Sequence, residues 1–176
     1  MIPIIKKNAI NFGLISGAIA VLVTLLMYII NLKLFVNVWI GFGLIGVWIV
    51  IGIVLLQKCK KEQRGVLSFK EGFTAYFVSA LIGISISTLF NIFLFNYFDT
   101  QAREIITEHL VDFQVEMLEK FNSPQEQIAE VVQEIKENSQ FSLKGQVMGF
   151  FQALIGAIIL GLILAAIFKS RNKEIY

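Results

Sequence analysis

The sequence predicts an all-α integral membrane protein, a four-helix bundle with an extracytoplasmic amphipathic helical hairpin between its third and fourth spans. Three observations carry this prediction. Only 16% of the 176 residues are charged while 56% are hydrophobic, against roughly 25% charged in a soluble domain. The deficit is concentrated in four stretches without any charged residue, 9–30, 34–57, 72–98 and 147–168. Between the last two lies a strongly acidic segment, 99–146, with apolar residues at helical spacing.

Each uncharged stretch has at least 22 residues, which at about 1.5 Å per residue gives roughly 33 Å of helix. That covers a hydrocarbon core about 30 Å thick, and helices of soluble proteins average only about 10–14 residues. The first stretch, Ala9 to Ile30, follows Lys6 and Lys7 in the manner of a signal peptide. It is longer than a typical apolar signal core, and Tyr28-Ile29-Ile30-Asn31 offers no small-residue cleavage site, so a retained anchor is expected. The chain 1–176 then forms a single membrane domain.

The first two spans are joined only by Asn31-Leu32-Lys33, which predicts an antiparallel hairpin. The second and third are joined by a basic loop from Lys58 to Glu71, expected to set topology and lie near anionic lipid. Its end, Ser68-Phe69-Lys70-Glu71, has the spacing of a capping box, in which hydroxyl and carboxylate satisfy free N–H groups at a helix start.

Segment 99–146 carries ten acidic and four basic residues, a net charge of −6. Ile106, Leu110, Phe113, Met117 and Phe121 recur at helical spacing, as do Ile128, Val131, Val132 and Ile135. Ser123-Pro124-Gln125-Glu126 reads as a helix start, with Ser123 as the cap and Pro124 in the first helical position. Two amphipathic helices joined at Asn122-Ser123 are therefore predicted, and the first can run on from the third span through Asp99.

Lysine and arginine counts give the orientation, because cytoplasmic loops keep the excess. With the N-terminus inside, ten basic residues are cytoplasmic (Lys6, Lys7, Lys58, Lys60, Lys61, Arg64, Lys70, Lys169, Arg171 and Lys173) and five lie outside. Both termini are thus predicted in the cytoplasm. Tyr28 and Tyr97 are placed as anchors at the outer interface and Tyr76 at the inner one. Cys59, the single cysteine, excludes an internal disulfide. It is expected to react with an impermeant thiol reagent only after cells are permeabilised.

Small residues recur at every fourth position in two spans. They are Ala75, Ser79, Gly83 and Ser87 in the third, and Gly145, Gly149, Ala153, Ala157, Gly161 and Ala165 in the fourth. A shorter run, Ala9, Gly13 and Gly17, occupies the first. Lipid supplies no hydrophobic drive between helices, so close backbone approach across small residues provides packing energy. These residues are expected to pack the chain's own bundle; a homo-oligomeric or partner-docking face is the alternative. Neutral polar residues in the spans, Asn11, Ser85, Thr88, Asn91 and Gln152, are expected to bond helix to helix, with a polar pore lining as the alternative.

The function classes are narrowed by what the spans lack. No Asp, Glu, Lys, Arg or His lies within a span core, and coupled transporters generally depend on such groups. The first and third spans also point the same way, so the halves are not an inverted repeat. His109, Asp112 and Glu116 share a helix face, but acidic residues are dense enough there to give that spacing readily, and a solvated acidic face is expected. No nucleophile elbow, Walker loop, paired-cysteine spacing or dinucleotide fingerprint occurs. Enzyme activity, a cofactor, a metal and a nucleic-acid partner are accordingly not expected.

With these motifs placed, the chain resembles the four-span bacterial membrane family known as domain of unknown function 4199. The likeness rests on Leu67-Ser68-Phe69-Lys70-Glu71-Gly72-Phe73 opening the third span and Asn96-Tyr97-Phe98-Asp99 closing it. The acidic helical segment with Ser123-Pro124 and a small-residue-rich last span ending in Lys169 complete it. Thr100 stands where a proline often follows the aspartate in that family. The resemblance implies the cytoplasmic (inner) membrane of Bacteroidota-type bacteria and no assigned activity. Together these features predict a non-enzymatic membrane protein acting by interaction, as a scaffold or accessory subunit. Its expected partners are the bilayer and a membrane or envelope protein docking on 99–146; the alternative is a small oligomeric channel or passive transporter.

Overall fold

A computed structural model describes residues 2–170, so Arg171 and Lys173, counted above for orientation, lie outside the described residues. Among the described residues the fold is all helical. The element order is α1 (Pro3–Ile30), a 3-10 turn (Leu32–Val36), α2 (Val38–Glu62), α3 (Phe69–Phe93), a π turn (Leu94–Phe98), α4 (Thr100–Lys120), α5 (Gln125–Glu137) and α6 (Leu143–Phe168). Four helices are long and apolar enough to cross a membrane: α1, α2, α3 with its π turn, and α6. They reach beyond the uncharged stretches at several ends, because the flanking polar turns are helical too.

Packing centres on α3, which lies against α1 and against α6, while α1 and α6 scarcely touch. Small residues make both approaches possible. A Cβ on Gly13 would lie 2.7 Å from the Cβ of Ile82 and 2.9 Å from the Ser79 carbonyl, and one on Gly83 would strike Ser16 Oγ. On the other face, a Cβ on Gly161 would lie 2.8 Å from the Tyr76 ring. The fourth spanning helix, α2, contacts all three others, but its buried residues (Gly52, Leu55, Leu56 and Cys59) all belong to its second half. At Gly41, Gly43 and Gly46 in its first half, nothing lies within 4 Å of a would-be Cβ. The bundle is therefore tight at one end and splayed at the other.

The tight end gathers the helix ends around the 62–69 loop. Ile5, Leu55, Leu56, Cys59, Leu67, Ala75, Tyr76, Ala157 and Leu164 form its core. Asn8 donates to Glu62 at 2.6 Å, Lys60 donates to the last carbonyl of α6 at Phe168, and Ser170 bonds to both Leu67 and Gly65. The Ser68–Glu71 capping box opens α3 as predicted.

The opposite end is built on aromatic rings. Phe35, Phe95 and Phe141 meet edge to face, with centroids 5.2–5.8 Å apart, a geometry favoured by the ring quadrupoles. Leu94, Ala102 and Ile106 complete this second core, which joins the 3-10 turn, the end of α3, α4 and the link into α6.

Five local expectations are corrected. The second span begins at Val38 rather than Leu34, because residues 32–36 turn back into the aromatic core and Asn37 then caps α2. The third span does not run on into α4: the chain turns at Asp99 (φ −139°, ψ 86°), whose carboxylate caps α4 at Ala102. Helix α5 starts at Gln125 with Pro124 as its cap residue, and Ser123 makes no capping bond. Tyr76 is buried between α2 and α6 rather than anchored at an interface, since it fills the space left by Gly52 and Gly161. Cys59 is fully buried, so its labelling does not report topology.

Candidate functional site

The splayed half of α2 leaves a cavity of about 710 Å³ between α2, α3 and α6. Apolar and small side chains line it, among them Ile45, Trp48, Gly83, Ala153, Ala157 and Leu160. Ile159 and Ile163, which also line it, are more than half exposed, so the cavity opens sideways between α2 and α6. Tyr76, wedged against Gly52, stands at its tight end.

A second cavity of about 680 Å³, with several polar side chains on its wall, lies between α3, α5 and α6 at the hairpin end. Asn91, Glu134, Asn138, Lys144 and Gln152 face it, and Gln146 and Gly149 line both cavities. This open vestibule adjoins the apolar chamber. Lys144 donates to Asn138 at 3.0 Å, whereas the Asn91 Oδ1 is buried and has no hydrogen-bond partner. An unsatisfied acceptor costs about 1–3 kcal/mol.

The small-residue stripes divide between packing and cavity. Ala75, Ser79 and Gly83 of α3 are buried, as are Ala157, Gly161 and Ala165 of α6. Ser79, Gly83 and Ala157 also border the apolar chamber, which Ser87, Gly149 and Ala153 line as well, and nothing lies within 4 Å of a Cβ on Gly149. Gly145 packs on the backbone of Ser139 and Gln140. None of the neutral polar residues Asn11, Ser85, Thr88, Asn91 and Gln152 bonds one helix to another, contrary to expectation. Asn91 and Gln152 line the vestibule and Thr88 the chamber. Polar contacts between the spanning helices are made by Asn8 with Glu62, outside the uncharged stretches, and by Lys60 with the Phe168 carbonyl.

Over the splayed end sits the hairpin of α4 and α5, which pack on each other. A chain of polar contacts fixes it to the spans. Tyr28 donates to Asp99 at 2.7 Å, Arg103 to Asn96 at 3.1 Å, and Asn96 to the Phe141 carbonyl at 3.1 Å. Thr107 and Ser139 share a hydrogen bond of 2.7 Å. The Tyr28 hydroxyl, and after it the Ala102 N–H, hold the Asp99 carboxyl below its ordinary value of 3.8.

The hairpin presents two exposed acidic rows. Glu104, Glu108, Asp112, Glu116 and Glu119 run along α4, and Glu126, Glu130, Glu134 and Glu137 along α5. Glu116 is ion-paired with Lys120 at 2.8 Å on the surface, and its carboxyl is lowered by that bond. Exposed pairs of this kind contribute little stability. His109, Asp112 and Glu116 form no metal-holding group among the described residues.

The family model described as a protein of unknown function, DUF4199, matches residues 11–170. The chain belongs to the DUF4199 family. Curated proteins and solved structures provide no match to it. Residues 11–170 of this DUF4199 chain include most of α1, all the later helices, both cavities and the hairpin. It is a multi-pass membrane protein, and the matched residues include the membrane helices and the hairpin.

Proposed function

We propose that this DUF4199 protein acts by interaction rather than catalysis, as a scaffold or accessory subunit of the bacterial inner membrane. Its acidic hairpin lies outside the cytoplasm and docks a protein with a basic surface. The observation that carries this is the hairpin itself: two exposed rows of carboxylates held rigidly on chemically quiet spans. Unpaired like charges on an ordered surface favour a basic partner and steer its approach. A channel built by oligomerisation has less support, because the cavity within one chain is blocked at the tight end by Tyr76 against Gly52 and Gly161.

The proposed partner is tested by affinity purification from native membranes in mild detergent. The comparison is a variant with Glu104, Glu108, Asp112, Glu126 and Glu130 all changed to glutamine, which leaves the hairpin's apolar contacts in place. A protein recovered with the natural chain, weakened by salt and lost with the variant, is the expected result. Recovery of the protein alone, or of a partner indifferent to these charges, would refute the reading.

Basic residues support termini in the cytoplasm, since Lys58, Lys60, Lys61, Arg64 and Lys70 gather at the end opposite the hairpin. With Cys59 replaced by alanine, single cysteines at the exposed positions Lys61 and Gln127 read the two sides. An impermeant maleimide is expected to label position 127 in cells with a permeable outer envelope and an intact inner membrane. Position 61 is expected to react only after the inner membrane is opened. The reverse pattern would invert the topology.

A further inference from the structure

We infer that the apolar chamber binds a neutral, membrane-soluble carbonyl compound of the isoprenoid quinone class, held by the hydroxyls of Tyr76 and Ser79. These two residues stand one turn apart on α3, and both line the chamber. Tyr76 is 7% exposed and Ser79 4%, and neither hydroxyl has a hydrogen-bond partner among the described residues. Burying a hydroxyl without a partner is costly, and most buried polar groups are bonded. Ser16, Thr74 and Thr107 show the usual remedy, each donating to a carbonyl of its own helix. Among the described residues, the side-chain atoms that are both unbonded and sealed off are Gln63 Nε2 and Asn91 Oδ1. The Tyr76 and Ser79 hydroxyls therefore keep accessible surface, and the space they border is the chamber. Both are free donors within reach of a ligand.

The rest of the lining sets the ligand's class. Among the described residues no charged side chain lines the chamber, so a carboxylate or phosphate would enter an apolar site with no counter-charge, at large cost. The polar end of the ligand is accordingly uncharged and supplies acceptors. Ser87 and Thr88, also unbonded, continue the hydroxyls of the same wall along α3. A ring bearing carbonyls meets donors at more than one level of that helix. Trp48 of α2 and Phe150 of α6 line the chamber as well, and aromatic side chains pack well on a flat ring. The volume of about 710 Å³ lies in the range of roughly 300–1,000 Å³ usual for small-molecule sites. An apolar tail leaves through the sideways opening between α2 and α6, at the half-exposed Ile159 and Ile163.

The test is saturation binding of a naphthoquinone with a short isoprenoid tail to the full chain in phosphatidylcholine vesicles. Binding is read by quenching of Trp48, in a Trp39→Phe background that removes the other tryptophan. Quenching is expected to saturate, and an analogue with the same ring and tail but no carbonyls should fail to displace the quinone. Tyr76→Phe combined with Ser79→Ala should raise the half-saturating concentration roughly ten-fold. Without ligand, the unfolding temperature of this variant should hold or rise, because it loses only unbonded hydroxyls.

Gly156→Phe lies on the chamber wall where a side chain meets open space, and it should abolish saturation. This variant also reads the site if the double variant does not fold. Three results would overturn the assignment: quenching that grows linearly without saturating, half-saturation unchanged by loss of the two hydroxyls, or saturation that survives Gly156→Phe. Displacement by the carbonyl-free analogue as readily as by the quinone would overturn it too, leaving an acyl chain as the occupant.

Discussion

Replacing Gly13 by leucine is expected to destabilise the bundle by about 3 kcal/mol or more, at the upper end of overpacking costs. A Cβ at this position lies 2.7 Å from the Ile82 Cβ and 2.9 Å from the Ser79 carbonyl. One of these atoms is backbone and the other is fixed directly to it, so neither rotates away. The larger side chain can be accommodated only by moving α1 off α3, the most extensive helix contact in the protein. Apolar burial does not compensate in lipid, where helix association rests on close packing. Unfolding in mixed micelles, followed by circular dichroism, measures the loss. Gly149→Leu is the matched control and should remain within about 0.5 kcal/mol of the natural protein, as substitutions away from packed features usually do. Similar stability for the two variants would remove the α1–α3 contact from the account.

Asp99→Ala is expected to cost about 2–4 kcal/mol in the attachment of the hairpin. The loss of a helix cap contributes about 1 kcal/mol, and a hydrogen bond to a charged group about 1.5–3 kcal/mol. Both end on this carboxylate, one from the Ala102 N–H at 2.9 Å and the other from the Tyr28 hydroxyl at 2.7 Å. The same contacts predict a pH dependence. Because the folded protein holds Asp99 below its ordinary value of 3.8, the stabilisation is complete above that value. It is lost as pH falls through the lower folded value, where the native state must take up a proton it disfavours. The protection of α4 from hydrogen exchange, referred to the intrinsic rate at each pH, should therefore fall in acid in the natural chain, less so in Tyr28→Phe, and should be low at every pH in Asp99→Ala. Unchanged α4 protection in Asp99→Ala would show that the aromatic core alone holds the hairpin.

The positions of these two residues illustrate how far local sequence patterns reach. Gly13 stands out in the sequence only as part of a small-residue run with Ala9 and Gly17, and its partner helix is not encoded in that run. Asp99 is legible as the end of the third span, but its bond to Tyr28 crosses 71 positions. The Ser68–Glu71 capping box, by contrast, is complete within four residues and forms as the spacing predicts. Pro124 shows the limit of such local rules: a serine-proline start fits two registers, and α5 takes the one that begins at Gln125.

What the sequence determined by itself were the features whose energy is local or set by the solvent. Runs of at least 22 uncharged residues must be helical in lipid, because every backbone N–H and C=O there has to be satisfied within the segment. The 3.6-residue period similarly marked the two helices of the acidic segment, whose apolar faces need only each other and the span ends. Tertiary structure alone decided which small residues pack and which face a cavity. Gly161 and Gly149 belong to the same four-residue register on α6, yet one receives the Tyr76 ring and the other open space. Their difference arises from the splay of α2, whose buried contacts are confined to its second half while its chain is drawn away at the first by the aromatic core around Phe35. Helix packing in a membrane depends on shape rather than on polarity, and the shape of a neighbour is not written in a helix's own sequence.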